Sequence, residues 1–229
     1  LGIRASELED VDLTVIEGFH CHNLCECDSF ATARTLEAIE KRFGKWLGQL
    51  KWLNLGGGHL MTSEGYDVDH LISTLKDFKT RYPHLDVILE PGSAVAWQTG
   101  PLICEVVDMV ENDGDIAILD ISATAHMPDV LEMPYRPTIL GAGMPDEKAY
   151  NVKLGGNSCL AGDVFDTYSF DEPLKAGDRL QFEDMMHYTM VKTTFFNGVE
   201  HPAIGILRAH GDFELVREFS YEDFKGRLS

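Results

Sequence analysis

Long hydrophobic runs are missing from this chain, and basic residues are scarce. No stretch approaches the roughly 20 apolar residues of a membrane span, and residues 1–10 lack the basic start and apolar middle of a signal peptide. Lys and Arg total 19 against 38 Asp and Glu, which gives a net charge of −19. We therefore expect no membrane association and no nucleic-acid partner, since phosphates demand a basic face. The negative charge either attracts cations, polyamines among them, or only aids solubility.

Cysteine is also sparse, and its number is odd. Three of the five cysteines fall within residues 21–27, a pattern that favours reduced thiols and a cytoplasmic location. The 229 residues are 44% hydrophobic, which is enough for the core of one large domain or two modest ones.

The first part of the chain alternates strands with helices. Asp28 or Ser29 can cap the first helix, whose apolar residues recur at helical spacing. We predict strands over residues 13–19, 51–55 and 86–89, and helices over residues 30–46 and 67–82. This order implies parallel strands with right-handed crossovers. Three strands are too few to close a barrel of eight, so we expect the first part of the barrel to lie outside this chain.

Beyond about residue 100 the pattern changes to strands joined by turns that contain glycine and proline. The predicted strands cover residues 102–110, 116–121, 179–183, 189–196 and 201–208. Such a series is typical of an antiparallel β domain. We therefore predict an α/β chain with a barrel portion over residues 1–112 and a C-terminal β domain over residues 113–229.

Two unusual groups of residues follow strands at their C-terminal ends, where active sites form in parallel barrels. Gly56, Gly57 and Gly58 leave their N–H groups open to a phosphate, although a tight turn is the ordinary explanation for adjacent glycines. Glu90, in a Glu-Pro-Gly sequence, can hold a pyridine nitrogen protonated at the same mouth. Its ordinary alternatives are a helix cap and a solvated rim charge.

Two histidines and one cysteine are further candidates. His20 and His22 lie two residues apart on a predicted strand and so face the same side. Their spacing matches no common zinc site, so we predict no metal; the alternatives are stacking on an aromatic cofactor and a hydrogen-bonded core histidine. Cys159, close to Asp163 in a loop, can relay protons or be a buried inert thiol. Tyr188 can donate to phosphate oxygens or be a structural tyrosine.

In their order these motifs resemble those of the fold-type III pyridoxal-phosphate decarboxylases, which include ornithine, diaminopimelate and arginine decarboxylases. Within that family, the chain is most similar to the branch that acts on carboxynorspermidine and carboxyspermidine. The resemblance covers nearly the whole chain and is carried by the runs GFHCHNLCE, LNLGGGH, LEPGSAVAWQTG, NSCLAGD and FEDMMHYTMVKTTFFNG. It implies the later part of a TIM-like barrel followed by a β domain, pyridoxal 5′-phosphate as the cofactor, and a homodimer with shared active sites.

The resemblance also implies a role for each candidate residue. His22 stacks on the pyridoxal ring, Glu90 pairs with the ring nitrogen, and Cys159 enters from the partner subunit to reprotonate the reacting carbon. The cofactor-binding residues are His22, Gly56, Gly57, Gly58, Glu90, Gly92, Ser93 and Tyr188. The substrate-binding residues are Glu90, His126, Glu132, Arg136 and Asp163, with Glu132 in the stretch that holds the substrate's distal ammonium.

Three departures from the family pattern bear on function. Ser93 stands where ornithine decarboxylases have Arg, and Leu160 stands where diaminopimelate decarboxylases have Glu, which speaks against diaminopimelate as substrate. The lysine that holds the cofactor covalently has no counterpart here, and Lys51 begins its strand at the wrong end. We expect that lysine in the absent first part of the barrel.

The reaction that the resemblance implies is decarboxylation of carboxynorspermidine to norspermidine and of carboxyspermidine to spermidine. Two alternatives stay open. One is a decarboxylase-like protein that binds a partner without catalysis, which the absent lysine would favour. The other is a sibling enzyme acting on a different basic amino acid, such as ornithine or diaminopimelate.

Overall fold

The structure, a computed structural model, describes residues 2–228. It has a mixed α/β fold, and the chain divides into two compact units, Leu1–Trp97 and Gln98–Ser229. No helix within the described range is both long and apolar enough to cross a lipid bilayer.

The first unit contains a sheet of three parallel strands in the order β1-β2-β3. The register aligns His20, Asn54 and Ile88, the last residues of the three strands. The predicted alternation of strands and helices is confirmed here. The elements are β1 Gly18–His20, α1 Ser29–Leu47, β2 Trp52–Asn54, α2 Val68–Arg81, β3 Asp86–Ile88 and α3 Ser93–Ala96, after a 3₁₀ turn at Ala5–Leu8.

The two long helices begin at aspartates that cap them. The Asp28 side chain accepts a hydrogen bond from the N–H of Ala31, and Asp67 accepts one from the N–H of His70, so each satisfies an N–H group that the helix leaves open. Asp28 is one of the two residues that the sequence predicts as the cap of the first helix. Apolar side chains of both helices bury against the strands in one cluster, formed by Leu36, Ile39, Leu47, Leu50, Leu53, Leu55, Phe78 and Leu85.

The first strand is shorter than the predicted strand over residues 13–19. The backbone N–H of Thr14 donates to the Asp12 side chain at 3.0 Å, and that of Ile16 donates to the Leu13 carbonyl at 3.0 Å. These local bonds form turns, which compete with strand pairing. Leu13 instead packs with Leu8 and Trp46 in a small cluster.

The second unit contains a five-stranded sheet in the order β7-β6-β5-β4-β8 and a separate β9-β10 hairpin. Its strands are β4 Leu102–Glu111, β5 Asp115–Leu119, β6 Tyr150–Gly155, β7 Val164–Phe170, β8 Arg179–Phe182, β9 Ile204–Leu207 and β10 Phe213–Arg217. Its helices are α4 Ala123–His126, α5 Pro128–Glu132, α6 Tyr188–Val191 and α7 Tyr221–Leu228, with a 3₁₀ turn at Phe196–Gly198.

The predicted antiparallel character holds for every pair in this unit except β5 with β6, which are parallel. Parallel neighbours need a long crossover, and the segment between them carries α4 and α5. Strand β4 pairs in this sheet, whereas the predicted division at residue 112 assigns it to the barrel portion.

One predicted strand is wrong, and three strands were not predicted. Residues 189–196 form α6 and the approach to the 3₁₀ turn, whereas β6, β7 and β10 lie outside the predicted ranges. The segment is rich in Thr, Val and Phe, which favour strands. In the fold, however, the Thr189 hydroxyl donates to Asp129 at 3.1 Å and the Thr194 N–H donates to the Ala125 carbonyl at 2.7 Å. These contacts leave the segment outside the sheet.

Candidate active site

The C-terminal ends of the three parallel strands place the predicted groups of the first unit side by side. The N–H of Cys21 donates to the Asn54 carbonyl at 2.8 Å, and the N–H of Leu55 donates to the Ile88 carbonyl at 2.9 Å. One step further, the N–H of Glu90 donates to the Gly56 carbonyl at 2.8 Å. Backbone pairing therefore continues past the strands and brings His22, the glycines and Glu90 to one edge.

His22 contacts the glycine loop directly. The N–H of Gly57 donates to the His22 Nδ1 atom at 2.9 Å, so this ring nitrogen carries no proton and the Nε2 atom holds it in the neutral ring. The rings of His20 and His22 are nearly parallel, with centroids 6.3 Å apart and an interplanar angle of 11°. The prediction that both face one side is consistent with this arrangement.

The three glycines are required by close approach of other backbone. Gly56 and Gly58 have φ values of +67° and +83°, a region that other residues enter at a cost. A Cβ atom on Gly57 would lie 2.7 Å from the Glu90 carbonyl oxygen, and one on Gly58 would overlap the Leu24 carbonyl. The loop is thus a tight turn in which the N–H groups of Gly56 and Gly57 donate to the side chains of Asn54 and His22. Its predicted contact with a phosphate stays a prediction.

Asn54 joins the glycine loop to Glu90, and sequence reasoning missed it. Its Nδ2 atom donates to the Glu90 Oε1 atom at 2.7 Å, and its Oδ1 atom accepts from the Gly56 N–H at 2.8 Å. Asn54 is only 8% exposed. A polar residue at the buried end of a predicted strand, just before the glycines, is the signal that could have revealed it. The bond fixes one carboxylate oxygen of Glu90 and leaves Oε2 available.

His59, which follows the glycines, was also missed. It is 2% exposed, and its Nδ1 atom lies 3.1 Å from the Thr32 hydroxyl oxygen. Burial lowers the pKa of His59 below its usual value. A neutral imidazole therefore supports the glycine loop.

Gly92 and Ser93 begin the short helix α3, with Gly92 at its N-cap position and Ser93 as its first residue. They follow Glu90 directly in the chain. Their predicted contact with a phosphate stays a prediction.

In the second unit, Cys159 is exposed and accepts a hydrogen bond from Asn197. The Asn197 Nδ2 atom lies 2.9 Å from the Cys159 Sγ atom. The thiol is therefore not the buried inert one of the ordinary alternative. Asn197 has a left-handed backbone, with φ 55° and ψ 16°, and sequence reasoning missed its contact with the cysteine.

Asp163 and His126 are buried in the interior of the same unit. Asp163 is 3% exposed, and its two oxygens accept from the N–H groups of Thr124, at 3.2 Å, and Ser158, at 3.1 Å. His126 is 2% exposed, and its Nδ1 atom accepts from the Ser122 N–H at 3.2 Å. Burial lowers the pKa of His126 to about 4. Both side chains thus organise the backbone here, and their predicted contact with substrate stays a prediction.

The other predicted substrate residues already have partners. Glu132 forms an ion pair with Lys192 at 3.2 Å, with 62% of the Glu132 side chain exposed. The Arg136 guanidinium donates to the carbonyls of Thr167, at 2.6 Å, and Gly143, at 2.9 Å. It also lies 3.7 Å from the ring centroid of Tyr168. The predicted contact of Arg136 with substrate stays a prediction.

Tyr188 begins α6 and is 54% exposed, so it is not a buried structural tyrosine. Within residues 2–228 no cluster of three or more His, Cys, Asp or Glu side chains is suited to a metal ion. The structure therefore groups the predicted residues into two sets. His22, the three glycines and Glu90 form one in the first unit, and Cys159, Asp163 and His126 form the other in the second.

The fold and the two sets of residues are those of one class of protein. The chain belongs to the pyridoxal-dependent decarboxylases, because the family model described as their C-terminal sheet domain matches residues 53–186, more than half of the chain.

Particular relatives lie within that family. The chain is 58% identical over 229 residues to the carboxyaminopropylagmatine decarboxylase of Synechocystis, covering 100% of this chain and 59% of the relative. It is 48% identical over 238 residues to the carboxynorspermidine/carboxyspermidine decarboxylase of Campylobacter jejuni, covering 99% of this chain and 62% of the relative. The chain thus spans about three fifths of the length of these relatives.

A solved structure is similar as well. The crystal structure of carboxynorspermidine decarboxylase complexed with norspermidine, from Campylobacter jejuni, matches with a TM-score of 0.91 and 47% identity. The match covers 99% of this chain and 65% of that one.

Proposed function

We propose that this chain is the later part of a pyridoxal-phosphate-dependent decarboxylase of carboxylated polyamines. The observation that carries the proposal is the Glu90 carboxylate, held by Asn54 at 2.7 Å beside a glycine loop at the aligned ends of parallel strands. Carboxynorspermidine and carboxyspermidine are the proposed substrates, because relatives that carry those names are 48% and 40% identical to the chain.

The residues of the first unit fit pyridoxal phosphate. The glycine loop has no side chain of its own to keep a phosphate from its backbone, and the phosphate would compete with Asn54 and His22 for the N–H groups of Gly56 and Gly57. The Oε2 atom of Glu90 suits a protonated ring nitrogen. When bound, the cofactor supplies an electron-accepting ring for the electron pair left by carbon dioxide. Glu90 would keep the ring nitrogen protonated, Asn54 orients Glu90, and His22 would pack against one face of the ring.

Glu90→Gln tests this assignment in the complete polypeptide. A neutral amide no longer favours the charged pyridine, so we expect kcat to fall at least about 10²-fold, the effect of removing one electrostatic group. The cofactor should stay bound, as measured by its visible absorbance. Glu37→Gln, on the exposed face of α1, is the matched control and should leave kcat within twofold. Unchanged turnover in Glu90→Gln would remove Glu90 from this role.

A second substrate is favoured by a specific relative. The enzyme named carboxyaminopropylagmatine decarboxylase is 58% identical to this chain. Its substrate, as named, ends in the guanidinium of agmatine, whereas the two polyamine substrates end in an ammonium. The three share a carboxyaminopropyl head, so the distal cation distinguishes them.

Glu132 is our candidate for binding that distal cation. Its carboxylate already pairs with Lys192 at 3.2 Å, and the substrate would have to compete with that ammonium. Glu132→Gln should raise KM more than it changes kcat, because remote contacts bind ground state and transition state alike. Lys192→Met should lower KM, since it frees the carboxylate.

Steady-state kinetics with five compounds would decide the substrate: carboxynorspermidine, carboxyspermidine, carboxyaminopropylagmatine, ornithine and diaminopimelate. We expect the highest kcat/KM with one of the first three. A preference for ornithine or diaminopimelate would overturn the proposed substrate class while leaving the decarboxylase family intact.

We further propose that the enzyme is a cytoplasmic homodimer whose first unit lies in a TIM-like barrel. Ile88, on the edge strand β3, is 40% exposed, as expected of a strand that further barrel strands would cover. Five free cysteines support a reducing compartment. The family resemblance supports a cofactor-binding lysine elsewhere in the polypeptide and a Cys159 that serves the partner's cofactor.

Subunit mixing tests the shared site. Cys159→Ala chains should keep only a small residual activity and chains lacking the cofactor lysine should lose theirs, and the mixture of the two should regain activity. Each mixed dimer then holds one site with both groups and one with neither. If proven subunit exchange restores no activity, the site is built within one chain.

A further inference from the structure

We infer that Asn197 is a positioning residue for the Cys159 thiol. The side-chain amide of Asn197 donates to the Cys159 Sγ atom over 2.9 Å. Amides are fixed hydrogen-bond donors, whereas a sulfur is a weak acceptor when protonated and a better one as an anion. The contact therefore both orients the sulfur and favours the state that the sulfur reaches after giving up its proton.

The backbone at Asn197 is shaped for this contact. Its φ of 55° lies in the left-handed region, which asparagine tolerates better than most residues with a side chain. Gly198, with φ 72°, continues the turn. A residue with a larger or branched side chain would be strained here, and glycine would fit but offer no amide.

Both partners are attached to the same short helix, α4. On the cysteine side, Asp163 accepts hydrogen bonds from the N–H groups of Thr124 and Ser158, which joins the loop to the helix. On the asparagine side, the N–H of Thr194 donates to the Ala125 carbonyl at 2.7 Å. The sulfur and the amide are thus held from one rigid element, so their contact does not depend on two independent loops.

The role follows from the proton step, and in this respect it rests on the proposed function. The S–H bond of Cys159 breaks as its proton forms a C–H bond at the carbon that lost carbon dioxide. The sulfur keeps the electron pair and becomes a thiolate, which accepts the Asn197 hydrogen bond. A proton from solvent restores the thiol before the next turnover. Asn197 touches neither substrate nor cofactor in this account and acts only through the sulfur.

Alkylation of Cys159 by iodoacetamide, followed by peptide mass spectrometry in the complete polypeptide, tests the contact without any catalysis. Losing the amide removes a hydrogen bond that stabilises the sulfur as it attacks, and one hydrogen bond of modest strength corresponds to a rate change of roughly threefold. In Asn197→Gly we therefore expect alkylation about threefold slower, measured against the exposed Cys25 in the same molecule.

Two further variants separate chemistry from backbone effects. Asn197→Asp keeps the shape and the tolerance of a left-handed backbone but loses the donor, so it should also slow alkylation. Asp113→Gly, at an exposed turn residue with φ 54°, is the matched control for a substitution by glycine and should leave the rate unchanged. An unchanged or faster rate in both Asn197 variants would overturn the inference.

A double-mutant cycle on kcat gives the catalytic readout. We expect Asn197→Gly to lower kcat with little change in KM, and to have no further effect in a Cys159→Ala background, because it acts through the sulfur. Additive losses would mean that Asn197 acts elsewhere and would overturn the role. If the complete polypeptide shows no decarboxylase activity while the alkylation result holds, the proposed function fails and the positioning contact stands.

Discussion

At the scale of single residues, the two candidate sites depend on buried polar side chains that bind backbone N–H groups. Asn54 accepts from Gly56, Asp163 accepts from Thr124 and Ser158, and His126 accepts from Ser122. A buried backbone donor without a partner costs roughly 1–3 kcal/mol. These side chains therefore fix the loops that carry Glu90 and Cys159.

The buried ring of His126 makes stability depend on pH. Burial lowers its pKa from 6.5 to about 4, a trend that the nearby His201 reinforces and that Asp163 opposes. As pH falls below 6.5, the unfolded chain binds a proton that the folded chain does not. The stability due to the neutral ring is therefore full above pH 6.5 and is lost progressively toward pH 4.

Urea unfolding at pH 7 and pH 5 measures this effect. The wild type should lose roughly 2 kcal/mol more than His126→Asn over that interval, because each unit of pKa difference is worth about 1.4 kcal/mol. Asparagine can keep an acceptor for the Ser122 N–H but does not titrate. His210→Asn, at a residue whose side chain is 68% exposed, should follow the wild type. Equal pH slopes in wild type and His126→Asn would contradict the prediction.

At the scale of elements, the sequence predicted the features that depend on residues close together in the chain. Helix α1 follows from its apolar spacing and its predicted cap, and the glycine loop and Glu90 follow from their place after strands. The helix at Tyr188–Val191 was not predictable, because Thr189 and Thr194 bond to residues far away in sequence, Asp129 and Ala125. Asn54 and Asn197 were missed for the same reason: their partners are 36 and 38 residues away.

One glycine of the loop, Gly58, can be compared with Gly65, a glycine outside the loop, in a matched pair of substitutions. Gly58 and Gly65 have similar φ values, +83° and +79°, but an added Cβ would overlap the Leu24 carbonyl at Gly58 and would meet nothing within 4 Å at Gly65. Alanine at either position carries the left-handed strain of roughly 1–2 kcal/mol. Only Gly58→Ala also forces backbone apart, which adds about 1–3 kcal/mol.

Urea denaturation of both variants checks this difference. We expect Gly58→Ala to be less stable than Gly65→Ala and to weaken binding of pyridoxal phosphate to the complete polypeptide. Gly65→Ala should retain wild-type cofactor affinity. Equal losses of stability would mean that the strand-end segment around Leu24 moves aside without cost.

At the scale of the whole molecule, the largest hydrophobic clusters of the two units are separate. Leu53 is fully buried in a cluster of the first unit, and Leu154 is fully buried in a cluster of the second. The two clusters have no member in common. Each unit thus has a buried cluster of its own, and each carries one of the two sets of candidate residues.

Separate cores predict separate responses to cavity formation. Leu53→Ala and Leu154→Ala remove the same atoms from fully buried positions, and each should cost roughly 2–5 kcal/mol. In hydrogen–deuterium exchange followed by mass spectrometry, we expect Leu53→Ala to speed exchange mainly in peptides from Leu1–Trp97. Leu154→Ala should do so mainly in peptides from Gln98–Ser229. Equal acceleration across both units in either variant would show that they open as one cooperative body, because local opening leaves amides outside the opened unit protected.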